Sequence, residues 1–358
     1  MITGSHNPPE FNGFKVCVGK DAISGEEIQN LRRVAEARNF FDGKGSVSYK
    51  ELIPAYQDFI VRNIRLERKP KVVVDSGNGT AGAVAPQILR ALGCQVEELY
   101  SEVDGRFPNH FPDPTIPDNM QDLIARMKQT GAEVGIAYDG DADRIGVADH
   151  QGNIIWGDQL MILFARDVLR NHPGATIISE AKCSQILYDE ITRLGGRGNM
   201  WRTGHSLLKR KMKEEMALLG GEMSGHIFFA DRYFGYDDAI YASCRLLEIL
   251  SRSEKRIPEL LGDIPKTFTT PEIRVDCPDD RKFTLVERVK ESFRKEYSIV
   301  DVDGVRVLFP DGWGLVRASN TQPVLVLRFE ARSAARLGEI RALVEKRVAD
   351  FARGLPTR

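Results

Sequence analysis

Three carboxylates alternate in residues 139–144, Asp139-Gly140-Asp141-Ala142-Asp143-Arg144, directly after an apolar run. In an extended segment that spacing turns all three to one side. Three like charges held together call for a cation, and all-oxygen ligation suits magnesium, manganese or calcium. The first five positions match an EF-hand, but Arg144 stands where that loop needs glycine and His150 where it needs its last glutamate. An EF-hand is therefore excluded, and a solvated acidic turn is the simple alternative.

Three further loops carry groups of chemical interest. Ser5 lies in Thr3-Gly4-Ser5-His6-Asn7-Pro8, where Gly4 permits close backbone approach and Pro8 and Pro9 stiffen the exit. A serine exposed beside cations can carry a group covalently, although the same residues also favour an ordinary turn. Gly221-Glu222-Met223-Ser224-Gly225-His226 puts a carboxylate, a hydroxyl and an imidazole between two expected strands, groups that suit a polyol. Arg317-Ala318-Ser319-Asn320-Thr321-Gln322-Pro323 offers a guanidinium, hydroxyls, an amide and backbone N–H groups, which suit a phosphate dianion. Each of these also reads as a polar turn. Lys182 and His205 follow segment ends and on their own read as surface residues. The run Gly77-Asn78-Gly79-Thr80-Ala81-Gly82 matches a dinucleotide fingerprint in outline, with Glu97 downstream. Asp75 and Ser76 delay its first glycine, and it reads instead as a strand-to-helix turn.

The elements that must hold these loops are α/β in pattern. After a strand at 14–18, a helix at 25–36 and a Gly/Ser linker at 43–46, strands are expected at 71–75, 95–99, 133–138 and 145–149. Helices are expected at 81–92 and 119–130, an alternation that favours a mostly parallel sheet. A second round begins near Ile154, with helices at 159–169, 184–194, 206–214 and 237–251 and strands at 175–179, 199–202 and 216–219. A break at 262–265 opens a last region with strands including 268–275 and 324–330 and helices at 282–296 and 334–352. The fold class is α/β: successive related α/β/α domains with mixed sheets, then a C-terminal α+β domain. The expected domains are 1–50 with the seryl loop, 51–153 with the acidic loop, 154–264 with the Glu222 loop and 265–358 with the Arg317 loop.

The 358 residues carry a formal net charge of -1, which argues against a general nucleic-acid or membrane-surface binder. The five cysteines are scattered with no CxxC pair, consistent with reduced thiols in a cytoplasmic protein. No apolar run approaches the ~18 residues of a membrane span. No signal peptide is expected from the polar loop that follows Met1, and the sequon at 78–80 is expected to carry no meaning in that compartment.

Taken together in one order, the seryl, triple-aspartate, Gly-Glu-Met-Ser-Gly-His and Arg-Ala-Ser-Asn-Thr loops resemble those of the α-D-phosphohexomutase family, more narrowly its bacterial phosphomannomutase/phosphoglucomutase group. The resemblance extends over nearly the whole chain, including Asp104-Gly105-Arg106-Phe107-Pro108-Asn109-His110 and Gly312-Trp313-Gly314-Leu315-Val316. It implies an isomerase that moves phosphate between the 1- and 6-positions of mannose or glucose through a hexose 1,6-bisphosphate. Ser5 is implied to be the phosphoserine. Asp139, Asp141 and Asp143 are implied to bind magnesium, with a phosphoseryl oxygen of Ser5 completing the site. Arg144 is implied beside the transferring group, and His6 and Lys15 in proton transfer. Lys182, Gly204 and His205 are implied in substrate contact, Glu222, Ser224 and His226 in sugar recognition, and Arg317, Ser319, Asn320 and Thr321 at the non-reacting phosphate. Met223 is implied to mark the mannose/glucose group. Ala142 departs from the family's frequent glycine.

The family carries roughly a hundred residues ahead of the seryl loop, a domain-sized block, that this sequence lacks. Residues 1–50 are therefore expected to be the remnant of a first domain. Residues 1–45 are expected to be mobile and to expose Phe11, Phe14, Val16 and Val18, and this chain is expected to be a poor catalyst. A monomer binding small hexose phosphates, and neither nucleic acid nor membrane, is the expected assembly. The rival readings are a metal-dependent phosphomonoesterase using a phosphoserine and a non-catalytic sugar-phosphate-binding remnant.

Overall fold

A computed structural model of the chain describes residues 1–7, 10–320 and 322–353; Pro8, Pro9 and Thr321 lie outside the described residues. The chain divides into two compact units. One comprises Met1–Ile178, Leu187–Asn199 and Gly204–Asp263, the other Ser179–Ile186, Met200–Thr203 and Ile264–Arg358.

The first unit is organised by a five-stranded sheet in the order Gln95–Leu99, Lys71–Asp75, Val134–Tyr138, Ile145–Asp149, Ile154–Ile155. The β-branched run Val72-Val73-Val74 is wholly buried, as befits a strand covered on both faces. Helix Gln121–Thr130 packs Leu123, Ile124 and Met127 against Val73, Ala137 and Ala148. The first three strands pair in parallel, the last two pairings antiparallel. The sheet is thus less parallel than the alternation predicts. Tyr138 pairs directly with Ile145, and the intervening loop is too short for the dozen or so residues a parallel crossover needs. That hairpin loop is the acidic segment.

A second sheet runs Ile227–Phe229, Leu219–Gly221, Thr176–Glu180, Arg197–Trp201. The expected strand at 216–219 lies further along, because Met216 adopts the left-handed conformation that ends helix His205–Glu215 (φ 51°). Helices Gly157–Asn171 and Ala239–Ser251 are buried along nearly their full length. Arg245 is fully enclosed between them and neighbouring loops. Its Nη2 donates to Asp167 Oδ2 at 3.0 Å and to Asp231 Oδ2 at 2.7 Å, and its guanidinium lies 4.4 Å from the Phe229 ring centroid.

Residues 1–52 form a thinner layer. The expected strand at 14–18 reduces to a hairpin of Cys17–Val18 with Asp21–Ala22 and an isolated bridge between Ile2 and Phe14. Helix Glu26–Glu36 buries none of its residues. Phe11, Phe14, Val16 and Val18 are exposed, as the sequence led us to expect. A helix the sequence did not announce, Ile53–Asn63, follows.

The second unit is an antiparallel sheet in the order Phe268–Thr269, Val324–Ala331, Gly312–Ala318, Val305–Phe309, Ile299–Val300. Helices Asp279–Arg294 and Ala334–Arg353 supply Val286, Val289, Phe293, Ile340 and Val344 to its core. The single strand expected at 268–275 is broken into Phe268–Thr269 and Ile273–Asp276. Thr269 pairs with Glu330 and Ile273 with Leu327, so residues 270–272 face only 328–329. Pro271 cannot donate to the ladder, and the extra residue is accommodated as a bulge.

The buried ionic cluster gives a test of the first unit. Arg245→Ala removes the enclosed cation that Asp167 and Asp231 share, leaving them only the more exposed Arg252 and His172, and breaking a buried pair costs about 3–5 kcal/mol. Chemical denaturation followed by intrinsic fluorescence is expected to show that loss; a change below about 1 kcal/mol, the scale of an exposed pair, refutes the account.

Candidate active site

The acidic loop closes the hairpin by a tight turn rather than an extended run. Ala142 sits at φ 62°, in the left-handed region where glycine is unstrained. The turn, not the pleat, converges the carboxylates: one ligand atom from each of Asp139, Asp141 and Asp143 lies within 4.8 Å of the others. Asp139 Oδ1 accepts from the backbone N–H of Asp143 and Arg144, both at 3.0 Å. Asp139 is fully buried. Burial, then repulsion from Asp143 and Asp141, raises its pKa well above the usual carboxylate range.

The seryl loop lies directly on this turn. Ser5 Oγ donates to Asp139 Oδ2 at 2.7 Å and lies 3.0 Å from His6 Nδ1. Thr3 Oγ1 donates to Asp141 Oδ2 at 2.9 Å and accepts from Ser5 N at 2.9 Å. Lys15 Nζ donates to Asp141 Oδ2 at 2.8 Å and also pairs with Asp143 Oδ2. Burial opposes the Lys15 cation, but those two carboxylates outweigh it and raise its pKa. Asp141 is pushed the other way: burial favours its neutral form, while Lys15, Thr3 and Ser5 together lower its pKa. Burial and the Arg144 charge lower that of His6. A Cβ on Gly140 would stand 2.1 Å from the Ser5 carbonyl oxygen, so the approach of the two loops requires glycine. The Gly77–Gly82 turn has a packing role on the other side: a Cβ on Gly79 would meet the Gly140 backbone at 2.8 Å, and Thr80 N donates to Gly140 O.

A third loop docks on the same hairpin. Residues 221–226 bridge back through Arg144 and His226, and Ile145 N donates to Gly225 O at 3.0 Å. Glu222 is buried; its Oε1 accepts from Gly204 N at 2.7 Å and its Oε2 from Ser224 Oγ at 3.3 Å. Glu222, Ser224, Gly204 and His205 are thus neighbours, as the resemblance implies. His226 faces inward: its Nε2 accepts from Arg144 Nε at 3.0 Å and its Nδ1 is directed at Asp237. Burial disfavours charge on this ring, while Asp143 and Asp237 raise its pKa to about 9. The Arg144 contact, however, demands an unprotonated Nε2, and that geometry is the stronger constraint.

The remaining residues belong to the second unit. Lys182 Nζ pairs with Glu272 at 3.0 Å and Glu180 at 3.5 Å. Buried Arg306 donates from Nη1 to Ala181 O and Cys183 O, so the backbone on either side of Lys182 is fixed. Arg317 lies one residue before the end of strand Gly312–Ala318, is buried, and donates from Nε to Asp303 Oδ2 at 2.8 Å. Ser319 Oγ accepts from Gln322 N at 3.2 Å, and Asn320 is exposed. Thr321 lies outside the described residues.

The sequence reading passed over Thr3, Gly140, Asp237 and Asp303. Thr3 sits two residues before Ser5, a spacing that places both side chains together in an extended loop. Asp237 precedes Asp238, which caps helix Ala239–Ser251 through Tyr241 N; only one of two such acids is needed for the cap. Asp303 gave no signal at all.

The donor set fits a hard divalent cation. Besides three carboxylates, Asp141 Oδ1 is buried with no hydrogen-bond partner among the described residues. Gly140→Ala tests the docking of the loops. It forces the Ser5 backbone away, and a misplacement near 1 Å costs about 100-fold in rate. Turnover is expected to fall by at least that much with little change in thermal midpoint; retained turnover shows the two loops need not touch.

Comparison with known proteins agrees with this layout. Models of phosphoglucomutase/phosphomannomutase match in three blocks: α/β/α domain II at residues 54–152, α/β/α domain III at 156–268 and the C-terminal domain at 272–347. A phosphomannomutase/phosphoglucomutase of Pseudomonas aeruginosa is 49% identical over 357 residues, covering 99% of this chain and 77% of its own length. A phosphoglucomutase of Neisseria gonorrhoeae is 48% identical over 345 residues, with 95% and 75% covered. The crystal structure of a phosphoglucomutase/phosphomannomutase family protein from Burkholderia thailandensis superposes with a TM-score of 0.93 at 44% identity, covering 99% of this chain and 76% of that one. Three matched domains and near-half identity along almost the whole length place this chain in the phosphoglucomutase/phosphomannomutase family, the α-D-phosphohexomutases, whose members are isomerases.

Proposed function

We propose that the chain is a hexose phosphate mutase that exchanges phosphate between the 1- and 6-positions of mannose and glucose phosphates, with Ser5 as the covalent carrier. The observation that carries this reading is the hydroxyl of Ser5, held 2.7 Å from Asp139 inside a three-carboxylate cluster, with Lys15 and Arg144 in the same site. A free serine turn has no reason to be docked there. Support for a mutase over a phosphatase comes from the family relation and from the loop of Glu222 and Ser224, which offers a sugar a second grip.

In this scheme the phosphorylated Ser5 Oγ–P bond breaks as the bond from phosphorus to a sugar hydroxyl forms, giving a hexose 1,6-bisphosphate. That intermediate turns so that its other phosphate returns to Ser5. Asp139, Asp141 and Asp143, with a phosphoseryl oxygen, would hold magnesium, which when bound supplies charge neutralisation for the transferring group. Lys15 and Arg144 add fixed positive charge. His6, in contact with the Ser5 hydroxyl, is placed to handle the hydroxyl proton, whereas Lys15, held protonated by Asp141 and Asp143, serves through its charge. Glu222, Ser224, His226, Gly204, His205 and Lys182 would contact the sugar, and Arg317, Ser319, Asn320 and Thr321 the phosphate that does not react. The division into domains 1–50, 51–153, 154–264 and 265–358, a monomeric state and a cytoplasmic location belong to the same proposal. The last draws on the five scattered cysteines with no CxxC pair. Among the described residues no helix is long and apolar enough to cross a membrane.

Ser5→Ala is expected to abolish bisphosphate-dependent turnover while leaving the fold intact, and peptide mass spectrometry of the parent protein to place phosphate on Ser5. Substantial turnover by the alanine variant would sink the covalent scheme. Arg317→Ala is expected to raise KM more than it lowers kcat. Losing a charged hydrogen bond of about 1.5–3 kcal/mol corresponds to roughly 10- to 150-fold in affinity. An unchanged KM moves the phosphate site elsewhere.

A further inference from the structure

Behind the acidic loop lies a second convergence of ligand atoms. Asp143, His226 and Asp237 each present one within 4.8 Å of the others. His226 Nδ1 lies 3.6 Å from Asp143 Oδ1 and 3.1 Å from Asp237 Oδ2. All three side chains are nearly enclosed, at 6%, 10% and 6% exposure for His226, Asp143 and Asp237. None of these three atoms completes a hydrogen bond of good geometry among the described residues. His205 Nδ1, 3.7 Å from Asp237 Oδ2, is likewise unsatisfied. Buried polar atoms left this way are expensive, and here four of them aim at one place. Lys209 occupies only the other oxygen of Asp237, Oδ1, at 2.8 Å.

The 3.6 Å between His226 Nδ1 and Asp143 Oδ1 is too long for a hydrogen bond but suits two ligands of one metal, while the 3.1 Å to Asp237 Oδ2 is within reach of either. Two ligand atoms held about 2.0–2.2 Å from a tetrahedral zinc stand roughly 3.3–3.6 Å apart. Imidazole with carboxylate is a donor set for zinc-class transition ions, whereas an all-oxygen set suits magnesium. Asp143 divides its oxygens between the two places: Oδ2 pairs with Lys15 and Oδ1 faces His226.

We propose that Asp143, His226 and Asp237, with His205 at the margin, form a second cation site selective for a zinc-class transition metal and distinct from the three-aspartate cluster. Filling it acts on the reaction through Arg144. A metal on Nδ1 leaves the imidazole proton on Nε2, where it opposes the N–H of Arg144 Nε. The contact that orients the guanidinium is then lost, so the site is inhibitory.

The test is zinc binding to the whole chain in saturating magnesium, read by calorimetry, with cobalt as a spectroscopic substitute. No sugar is present, so the result is independent of the mutase reading. One zinc beyond magnesium is expected, with tetrahedral cobalt absorption. Asp237→Asn is expected to weaken it by at least the roughly 10- to 100-fold that even outer-shell changes cause. Asp141→Asn, which touches only the first cluster, is expected to leave it in place. His226→Gln stands in if Asp237→Asn fails to fold. Zinc binding lost with Asp141→Asn but kept in the Asp237 and His226 variants means simple occupation of the three-aspartate cluster and overturns the proposal, as does no binding at all. Turnover that is unchanged when the second site is full removes its inhibitory role.

Discussion

Three carboxylates within 4.8 Å of one another, one of them fully buried, repel each other in a medium that screens little. Much of the surrounding structure answers that repulsion. Two backbone N–H groups point at Asp139, Lys15 bridges Asp141 and Asp143, Arg144 lies 3.9 Å from Asp139, and the hydroxyls of Thr3 and Ser5 donate into the cluster. These contacts leave Asp139 with its pKa raised, which is a deficit a divalent cation removes. The same arrangement explains why the seryl loop is found here. Its hydroxyls reduce the repulsion, and that electrostatic attraction sets Ser5 at the place where a phosphoryl group would be transferred.

Steric constraints then convert attraction into position. Glycine at 140 lets the Ser5 backbone touch the acidic turn, and glycine at 79 lets the neighbouring turn support it from the other side. The Glu222 loop is locked to the hairpin through Ile145, so Glu222, Ser224 and the acidic turn share one base. In the second unit the equivalent task falls to buried arginines. Arg306, stacked 3.7 Å from the Trp313 ring centroid, holds the carbonyls flanking Lys182, while Arg317 is fixed by Asp303. Arginine suits this role because its planar fork can satisfy several acceptors at once.

His226 shows how a residue's setting redefines its reading. In the sequence it closes a loop of polyol-binding type and looks like a sugar contact. In the structure its two nitrogens face Arg144 and Asp237, so it also links the charge beside the reacting group to a carboxylate from the start of another helix.

Much of this was legible in the sequence because it depends on local chemistry. The triple aspartate, the Gly-Ser-His turn and the apolar runs at 71–75, 134–138 and 324–331 each announce themselves through residue type and spacing, and the order of the loops points to the family. The helices expected at 119–130 and 237–251 are found at 121–130 and 239–251. What the sequence could not decide was set by contacts between distant segments. The acidic residues converge through a left-handed turn at Ala142, not through strand alternation. The sheet reverses direction because the loop between Tyr138 and Ile145 is short. The strand near Thr269 breaks because three residues must face two across the ladder. Thr3 and Asp237 gain their roles only when residues 138 and 11 positions away are folded against them, in Asp141 and His226. No local pattern encodes such a meeting: it depends on the backbone approaching closely enough at Gly140 and Gly225 for the side chains to touch.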